Sequence, residues 1–224
     1  MLKTKIGLLL FAIFLSLTVL LTAVELVAFN INHYLSAYER HQVVEATGMD
    51  MENLEHVTRE IINYLRNRQD VLNPQAVVDG ELRYVYGERE QLHMVDVKDL
   101  FNAGRQVRNF SVLALLPLSI WLFAGRHRER RIFKGVLTAF LINAGLLLVL
   151  LALMFIDFNQ AFTWFHLLLF DNDLWLLPWS SLMIRMLPEV FFFESAVKIL
   201  AIHFGVLLAS TLACYALYKK KGEN

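Results

Sequence analysis

Apolar residues gather in this chain into runs with no Asp, Glu, Lys or Arg: residues 6–24, 110–125, 135–156 and 199–218, which are 19, 16, 22 and 20 residues long. A bilayer core about 30 Å thick needs about 20 apolar residues in a helix, so three of the four qualify outright. The second is short. An upright helix over residues 96–124 would extend roughly 43 Å, more than the hydrocarbon needs, so a tilt or bend near Gly104 is expected, with Arg105 and Arg108 reaching for phosphates. Between the first two runs the period changes. Asp50 is placed to cap a helix over residues 51–68, whose Met51, Leu54, Val57, Ile61, Ile62 and Leu65 recur at three- and four-residue steps. Asn73-Pro74 breaks the chain and Asp79-Gly80 has turn chemistry. Leu82, Tyr84 and Tyr86 alternate with Arg83 and Val85 as a half-buried strand, with residues 91–95 as its candidate partner. Asp96 then caps a further helix with Val97, Leu100, Phe101 and Val107 on one side. Residues 158–193 hold ten aromatics in 36 positions, broken by Pro178 and Pro188. That stretch is too interrupted for another crossing and is expected at the interface or as a re-entrant element, with Trp164, Trp175 and Trp179 at headgroup depth.

The fold class that follows is a mainly α membrane protein: four transmembrane helices, a small α+β extracytoplasmic domain and an interfacial aromatic loop. The divisions are residues 1–29 (cytoplasmic tip and first span), 30–108 (outer domain), 109–125 (second span) and 126–134 (basic loop). After them come 135–157 (third span), 158–196 (aromatic loop), 197–218 (fourth span) and 219–224 (tail). The first run shows no small-residue cleavage site, so it reads as an uncleaved anchor.

Composition agrees: 57% of the 224 residues are hydrophobic, which excludes disorder and most soluble enzymes. Net charge is zero, but its distribution is not even. Lys3 and Lys5, then Arg126, Arg128, Arg130, Arg131 and Lys134, then Lys219, Lys220 and Lys221 place ten of the 21 basic residues beside span ends. By the positive-inside rule those clusters are cytoplasmic, as are both termini. The outer domain carries nine basic and 13 acidic residues, so nothing argues for a nucleic-acid partner. The single cysteine, Cys214, excludes a disulfide framework, a cysteine zinc site and a CxxC redox pair.

Candidate chemistry rests on the seven histidines. His127 belongs to the basic loop, His203 reads as an interhelical hydrogen bonder, and His33, His41 and His56 read as surface residues. His93 and His166 differ. Each is flanked by apolar residues, Leu92 and Met94 or Phe165 and Leu167, and each lies on the outer side close to an interface. A satisfied structural histidine is one reading of both; the other is proton transfer, which suits a side chain with an ordinary pKa of about 6.5. No ligand spacing for a metal is present, and no cofactor is implied.

The segment Gly87-Glu-Arg-Glu-Gln-Leu-His-Met-Val-Asp-Val-Lys98, with Phe165-His166 and Asp173-Leu-Trp-Leu-Leu-Pro178 leading to Ile184-Arg-Met-Leu-Pro-Glu189, resembles the bacterial lipoprotein intramolecular transacylase family. The likeness covers the whole architecture and includes Thr47-Gly-Met49 leading into residues 50–66. It departs at Ser181, where members often carry an acid. The resemblance implies a bacterial cell-membrane enzyme without cofactor or metal, acting on the outer leaflet. Its substrate would be a diacylated lipoprotein held in membrane lipid. The sn-2 acyl chain of the N-terminal S-diacylglyceryl cysteine would move to that cysteine's own α-amino group, leaving a lyso-form lipoprotein. His93 and His166 match the family's catalytic pair. An intramolecular attack needs no enzyme nucleophile, in keeping with the lack of a Gly-x-Ser-x-Gly elbow.

Supporting roles follow from residue type. Arg185 could stabilise the oxyanion or pair with Glu189 or a phosphate, Asp96 could orient His93 or cap its helix, and Asp173 could position the aromatic loop beside Trp175. Glu25 is an acid one turn inside the outer end of the first run, hence a functional candidate or a snorkelling side chain. The rival class is a non-catalytic membrane sensor or assembly protein binding an outer partner, in which His93 and His166 would lie apart or be buried separately.

Overall fold

The computed structural model describes residues 2–124 and 127–222. Gly125 at the end of the second run, Arg126 of the basic cluster, and Met1, Glu223 and Asn224 at the termini lie outside the described residues. The order is α1 (Leu2–Ala28), α2 (Ile31–Arg40), α3 (Val43–Thr47), α4 (Met51–Leu65), β1 (Gln75–Val78), β2 (Glu81–Tyr84), α5 (Glu88–Phe123), α6 (Arg128–Ile156), α7 (Phe158–Leu169), α8 (Leu182–Met186) and α9 (Glu189–Gly222). Helices α1, α5, α6 and α9 are long and apolar enough to cross a membrane, as the four uncharged runs led us to expect. The chain divides into two compact units, one of Met1–Glu25, Gly104–Ile156 and Val197–Asn224, the other of Leu26–Ala103 and Asp157–Ala196.

The first unit holds the apolar parts of the four long helices. Phe11, Leu122 and Val136 form one buried cluster; Ala12, Ala139 and Leu207 form another. Ala12 and Ala139 are the small residues that allow close helix approach where no hydrophobic effect drives association. Outward-facing Leu113, Ile120, Leu148, Phe155 and Ile156 are exposed to a degree that lipid, and not water, tolerates. Three polar side chains inside bond one another. Asn143 Nδ2 donates to Ser16 Oγ at 2.6 Å and to the Ala139 carbonyl at 2.7 Å, and its Oδ1 accepts from His203 Nε2 at 2.8 Å. His203 is thus the interhelical hydrogen bonder its position suggested. Glu25 is ion-paired with Arg108 and lies 3.7 Å from Arg105. Both arginines, expected to reach for phosphates, point to this carboxylate instead, because a half-buried acid beside two cations is held more cheaply as a pair than alone.

The second unit is built on α4. Asp50 caps it as expected, its carboxylate accepting from the Asn53 backbone at 2.8 Å and side chain at 2.9 Å, and these bonds hold its pKa below the usual value. The helix ends at Leu65, about one turn earlier than its pattern suggested. Leu54, Val57, Ile61 and Ile62 pack with Tyr34 and Tyr38 of α2, with Tyr86, and with Met183, Met186 and Phe191 of the later stretch. The later stretch thus shares one core with the earlier one, and the 40 residues from Asp157 are not a free loop. Inside that core the Thr58 hydroxyl donates to the Leu54 carbonyl and receives the Tyr38 hydroxyl at 2.7 Å.

Several sequence expectations are corrected here. The partner of β2 is β1, paired antiparallel with Val78 opposite Glu81 and Gln75 opposite Tyr84, and not residues 91–95. Asp79 and Gly80, at φ 53° and 85°, make the two-residue turn that closes it, the backbone such sequences favour. All of β2 is exposed; the buried side chains are Ala76 and Val78 of β1. The helix assigned to start after Asp96 begins at Glu88 and continues unbroken through Gly104, so Asp96 lies in its interior and caps nothing. His33, read as a surface residue, is buried, with Nε2 at 2.8 Å from Ser195 Oγ; His41 meets Glu194 at 3.1 Å.

Gly48 terminates α3 at φ 71°, where its carbonyl accepts from the Asp79 backbone at 2.9 Å and an added Cβ would overlap the Asp79 carboxylate. Gly80, at φ 85°, has open space around it. Gly48→Ala is therefore expected to cost about 2–3 kcal/mol and Gly80→Ala about 1 kcal/mol. Thermal unfolding of the detergent-solubilised protein checks this: equal losses of Tm would show that the Asp79 contact contributes nothing.

Candidate active site

His93 stands in the second turn of α5. The start of that helix is defined by Glu90, whose carboxylate accepts from the Gly87 backbone at 3.1 Å. Met94, the next residue, is buried in the core of the unit, while Leu92 and Val95 face outward. This sets the His93 ring at the edge of the core, half buried, with Nδ1 enclosed and without a hydrogen-bond partner among the described residues.

His166 stands in the last turn of α7, which Asp157 caps by accepting from the Gln160 backbone at 2.9 Å. Its ring is buried against Phe162 one turn earlier, with centroids 4.3 Å apart, and its Nδ1 lies 2.7 Å from the Phe162 carbonyl. A carbonyl only accepts, so Nδ1 carries the hydrogen and Nε2 keeps its lone pair. Burial pushes the pKa of His166 below the ordinary 6.5, against the smaller opposing pull of the Phe162 carbonyl. At neutral pH the ring is uncharged.

The two rings meet: their centroids are 6.3 Å apart, at an interplanar angle of 35°. Phe170, just past the end of α7, touches both, at 5.6 Å from His93 and 5.7 Å from His166. Trp175 stacks on His166 at 4.8 Å and 26°. The pair therefore sits against aromatic walls, with no carboxylate bonded to either ring among the described residues.

The loop that carries Trp175 is fastened by a residue with no prominence in the sequence. Asn172 donates from Nδ2 to Asp96 Oδ2 at 2.8 Å, accepts at Oδ1 from the Leu174 backbone at 3.0 Å, and accepts at its own carbonyl from Trp175 Nε1 at 3.0 Å. Next to it Arg89 donates to the Asp173 backbone carbonyl and lies 3.3 Å from the Asp173 carboxylate. Asp96 and Asp173 thus hold the loop to α5, and Asp96 makes no hydrogen bond to His93. Phe162 was findable in the sequence, since a residue four before a helical histidine faces it. Asn172 left no such trace, because its three bonds depend on a loop path without periodicity.

The remaining candidates lie elsewhere. Arg185 neither pairs with Glu189 nor reaches either imidazole: its guanidinium donates to the carbonyls of Ala46 at 3.1 Å and Ser180 at 3.0 Å. Glu189 instead accepts from Asn159 at 2.9 Å. Glu25 belongs to the other unit and is held by Arg105 and Arg108.

The model of the family "Lipoprotein intramolecular transacylase Lit" matches residues 9–192. An uncharacterised protein of Aquifex aeolicus is 32% identical over 128 residues, a match that spans 56% of this chain and 56% of that relative. The solved membrane-integral lipoprotein intramolecular transacylase of Bacillus cereus shares the fold, with a TM-score of 0.80, 22% identity and 99% of each chain covered. Two variants of it, with one histidine replaced by arginine or by alanine, superpose with TM-scores of 0.76 and 0.77 over 99% of this chain, at 21% and 22% identity and with 95% and 96% of their own chains covered. With a family model matched along most of its length and the four-span fold of a solved member, the chain belongs to the lipoprotein intramolecular transacylase family.

Proposed function

We propose that this protein moves the sn-2 acyl chain of a lipoprotein's N-terminal S-diacylglyceryl cysteine to the α-amino group of the same cysteine, and that His93 and His166 handle the protons. The observation that carries this reading is the apposition of two imidazoles at 6.3 Å, one with its tautomer set by a backbone carbonyl. A sensor would have left them apart. Two cationic rings at this distance would repel, and burial, with His166 beside it, pushes the pKa of His93 down to about 4, so at neutral pH both rings are uncharged and the pair can take up the one proton that the amine releases.

His166 Nε2, unprotonated at neutral pH, takes a proton from the amine as the amine nitrogen attacks the ester carbonyl carbon. The tetrahedral intermediate collapses by breaking the bond from that carbon to the glyceryl sn-2 oxygen. That proton passes through His93 to the departing oxygen, leaving an amide and a free hydroxyl. The proton lost by the amine is the one that reaches glycerol, so both rings end uncharged, as they began. No acyl-enzyme forms. Because nucleophile and ester belong to one molecule, holding them at van der Waals distance replaces most of the entropic cost of a bimolecular reaction. The aromatic walls favour this by admitting acyl chains and excluding water that would hydrolyse the ester. The basic clusters beside span ends support an orientation with both termini in the cytoplasm of a bacterial cell, which puts the pair at the outer leaflet where such a lipoprotein resides. Outward-facing Trp164, Leu168 and Trp179, at 52%, 83% and 88% exposure, support seating of the aromatic stretch in the interface.

Three outcomes are expected. Mass spectrometry of a lipoprotein's N-terminal peptide, from cells producing the wild-type chain, His93→Asn or His166→Asn, should show the lyso form with wild type and at least a roughly 100-fold loss with either variant, the usual range for removing an acid or base. Persistence in both variants would sink the histidine mechanism, and its absence with wild type would sink the activity. NMR of 13C-labelled histidines in micelles should show His166 titrating below 6.5, so that the neutral base survives mild acidification; a midpoint at or above 6.5 would contradict the role of burial. Asn172→Ala should lower kcat by roughly 10- to 100-fold, the cost of misplacing a reacting group by about an ångström. It should also move the His166 midpoint up towards 6.5 as Trp175 lifts and water enters, which loss of fold alone would not do selectively.

A further inference from the structure

Within the second unit a polar cleft of about 300 Å³ is lined by Arg83, Tyr84 and Glu90 on one side and by Ser180, Ser181 and Arg185 on the other. No part of the acyl transfer uses it. One wall of the cleft takes in the start of the helix that carries His93, and the other belongs to the chain that runs on from the loop over His166. Glu90 precedes His93 by one turn of α5, about 4.5 Å along the axis. Ser180 follows Trp175 on the loop stacked over His166.

The charge of the cleft is one-sided. Glu90 is committed to the Gly87 backbone, and Arg185 to the carbonyls of Ala46 and Ser180, with its Nε enclosed and without a partner among the described residues. Arg83, on the exposed strand β2, has no hydrogen bond or ion pair from its side chain among the described residues. Two guanidinium groups against one carboxylate leave a net positive, hydrogen-bonding wall with little apolar surface. Such a wall is unsuited to an acyl chain and suited to a peptide backbone bearing acidic side chains.

We infer that this cleft receives the residues that follow the acylated cysteine of the lipoprotein, and that Arg83 makes it select acidic side chains there. The inference rests on the transacylase reading, since it is that reaction which leaves a polypeptide attached to the cysteine at the histidine pair. The polypeptide must leave the lipid-lined site for water. An extended chain advances roughly 3.3–3.6 Å per residue, so the first and second residues after the cysteine span the distance of one helical turn. Glu90, one turn before His93, lines the same cleft as Arg83 and Arg185. An exposed charge pair contributes up to about 1 kcal/mol, so selection is expected at about fivefold.

The test uses the full-length protein in neutral phosphatidylcholine micelles with two S-diacylglyceryl-cysteinyl peptides, one with Asp and one with Lys at the two residues after the cysteine. Binding is followed by fluorescence and conversion by mass spectrometry. Wild type should favour the Asp peptide about fivefold in both Kd and kcat/KM. Arg83→Glu should invert the ratio, and Arg83→Lys should keep its direction. Because the readout is a ratio of two peptides on one protein, a general loss of fold or activity does not imitate it. A ratio the same in Arg83→Glu as in wild type overturns the inference. So does a rate that instead follows the phosphatidylglycerol content of mixed vesicles in wild type and not in Arg83→Glu, which would make a lipid headgroup the occupant. If wild type converts neither peptide, the transacylase reading fails on its own, and the binding ratio alone decides for or against the cleft.

Discussion

The two histidines come from stretches of chain 73 residues apart, and the apolar core shared by those stretches is what brings them together. Met183, Met186 and Phe191 of the later stretch are buried among Tyr34, Tyr38, Leu54 and Tyr86 of the earlier one, and the Tyr86 hydroxyl points at the Met186 sulfur at 3.7 Å. Each large apolar side chain fully removed from water contributes about 1.5–3 kcal/mol, so three such anchors offset part of the cost of ordering the irregular segment between α7 and α8. The hydrogen bonds of Asn172 and Arg89 add direction to this clamp more than strength, since they lie at the surface. Without the core, His166 and its tautomer-setting carbonyl would have no fixed relation to His93.

The unit holding the transmembrane stretches obeys a different constraint. Its buried clusters are few and small, its surface is apolar, and a hydrogen-bonded set of Ser16, Asn143 and His203 crosses between three helices. In hydrocarbon an unsatisfied amide is costly, and such bonds between helices contribute about 0.6 kcal/mol on average. They secure orientation about the helix axes, where apolar packing alone would tolerate rotation. Glu25 with Arg105 and Arg108 does the same at the other end of α1.

Legibility in the sequence followed the range of the interactions involved. The four spans were readable because about 20 apolar residues in a row without a charge have the length and the chemistry of a bilayer crossing, which a water-soluble helix with one solvated face does not share. Asp50 was readable as a cap because capping acts within one turn, and His203 because a polar group in a span must find a partner. The hairpin was half seen: Asp79-Gly80 announced a turn, but β1 is only four residues after a proline, too short to display alternation. The start of α5 was missed because Gly87 and the charged residues after it resemble a turn as much as a first helical turn. His33 looked like a surface residue because its partner, Ser195, is 162 positions away. For the same reason the candidate site was legible in the two histidines and Trp175 that the fold brings together, and illegible in what fastens them. Arg185 had the chemistry of an oxyanion donor, and only its position shows its hydrogen bonds taken by two carbonyls.

Asn172 has a consequence for how the site tolerates change. One side chain and one carbonyl secure a carboxylate on α5, the backbone of the loop and the indole over His166 at the same time. Substitutions at Asp96, Asn172 and Trp175 therefore draw on a single reserve: taken one at a time they resemble three separate contributions, but combined they fall well short of their sum. Once the Asn172 side chain is lost, Asp96 and the Leu174 backbone lose their partner together, so that part of the clasp is gained or given up as a whole, while Trp175 keeps its own stacking on His166.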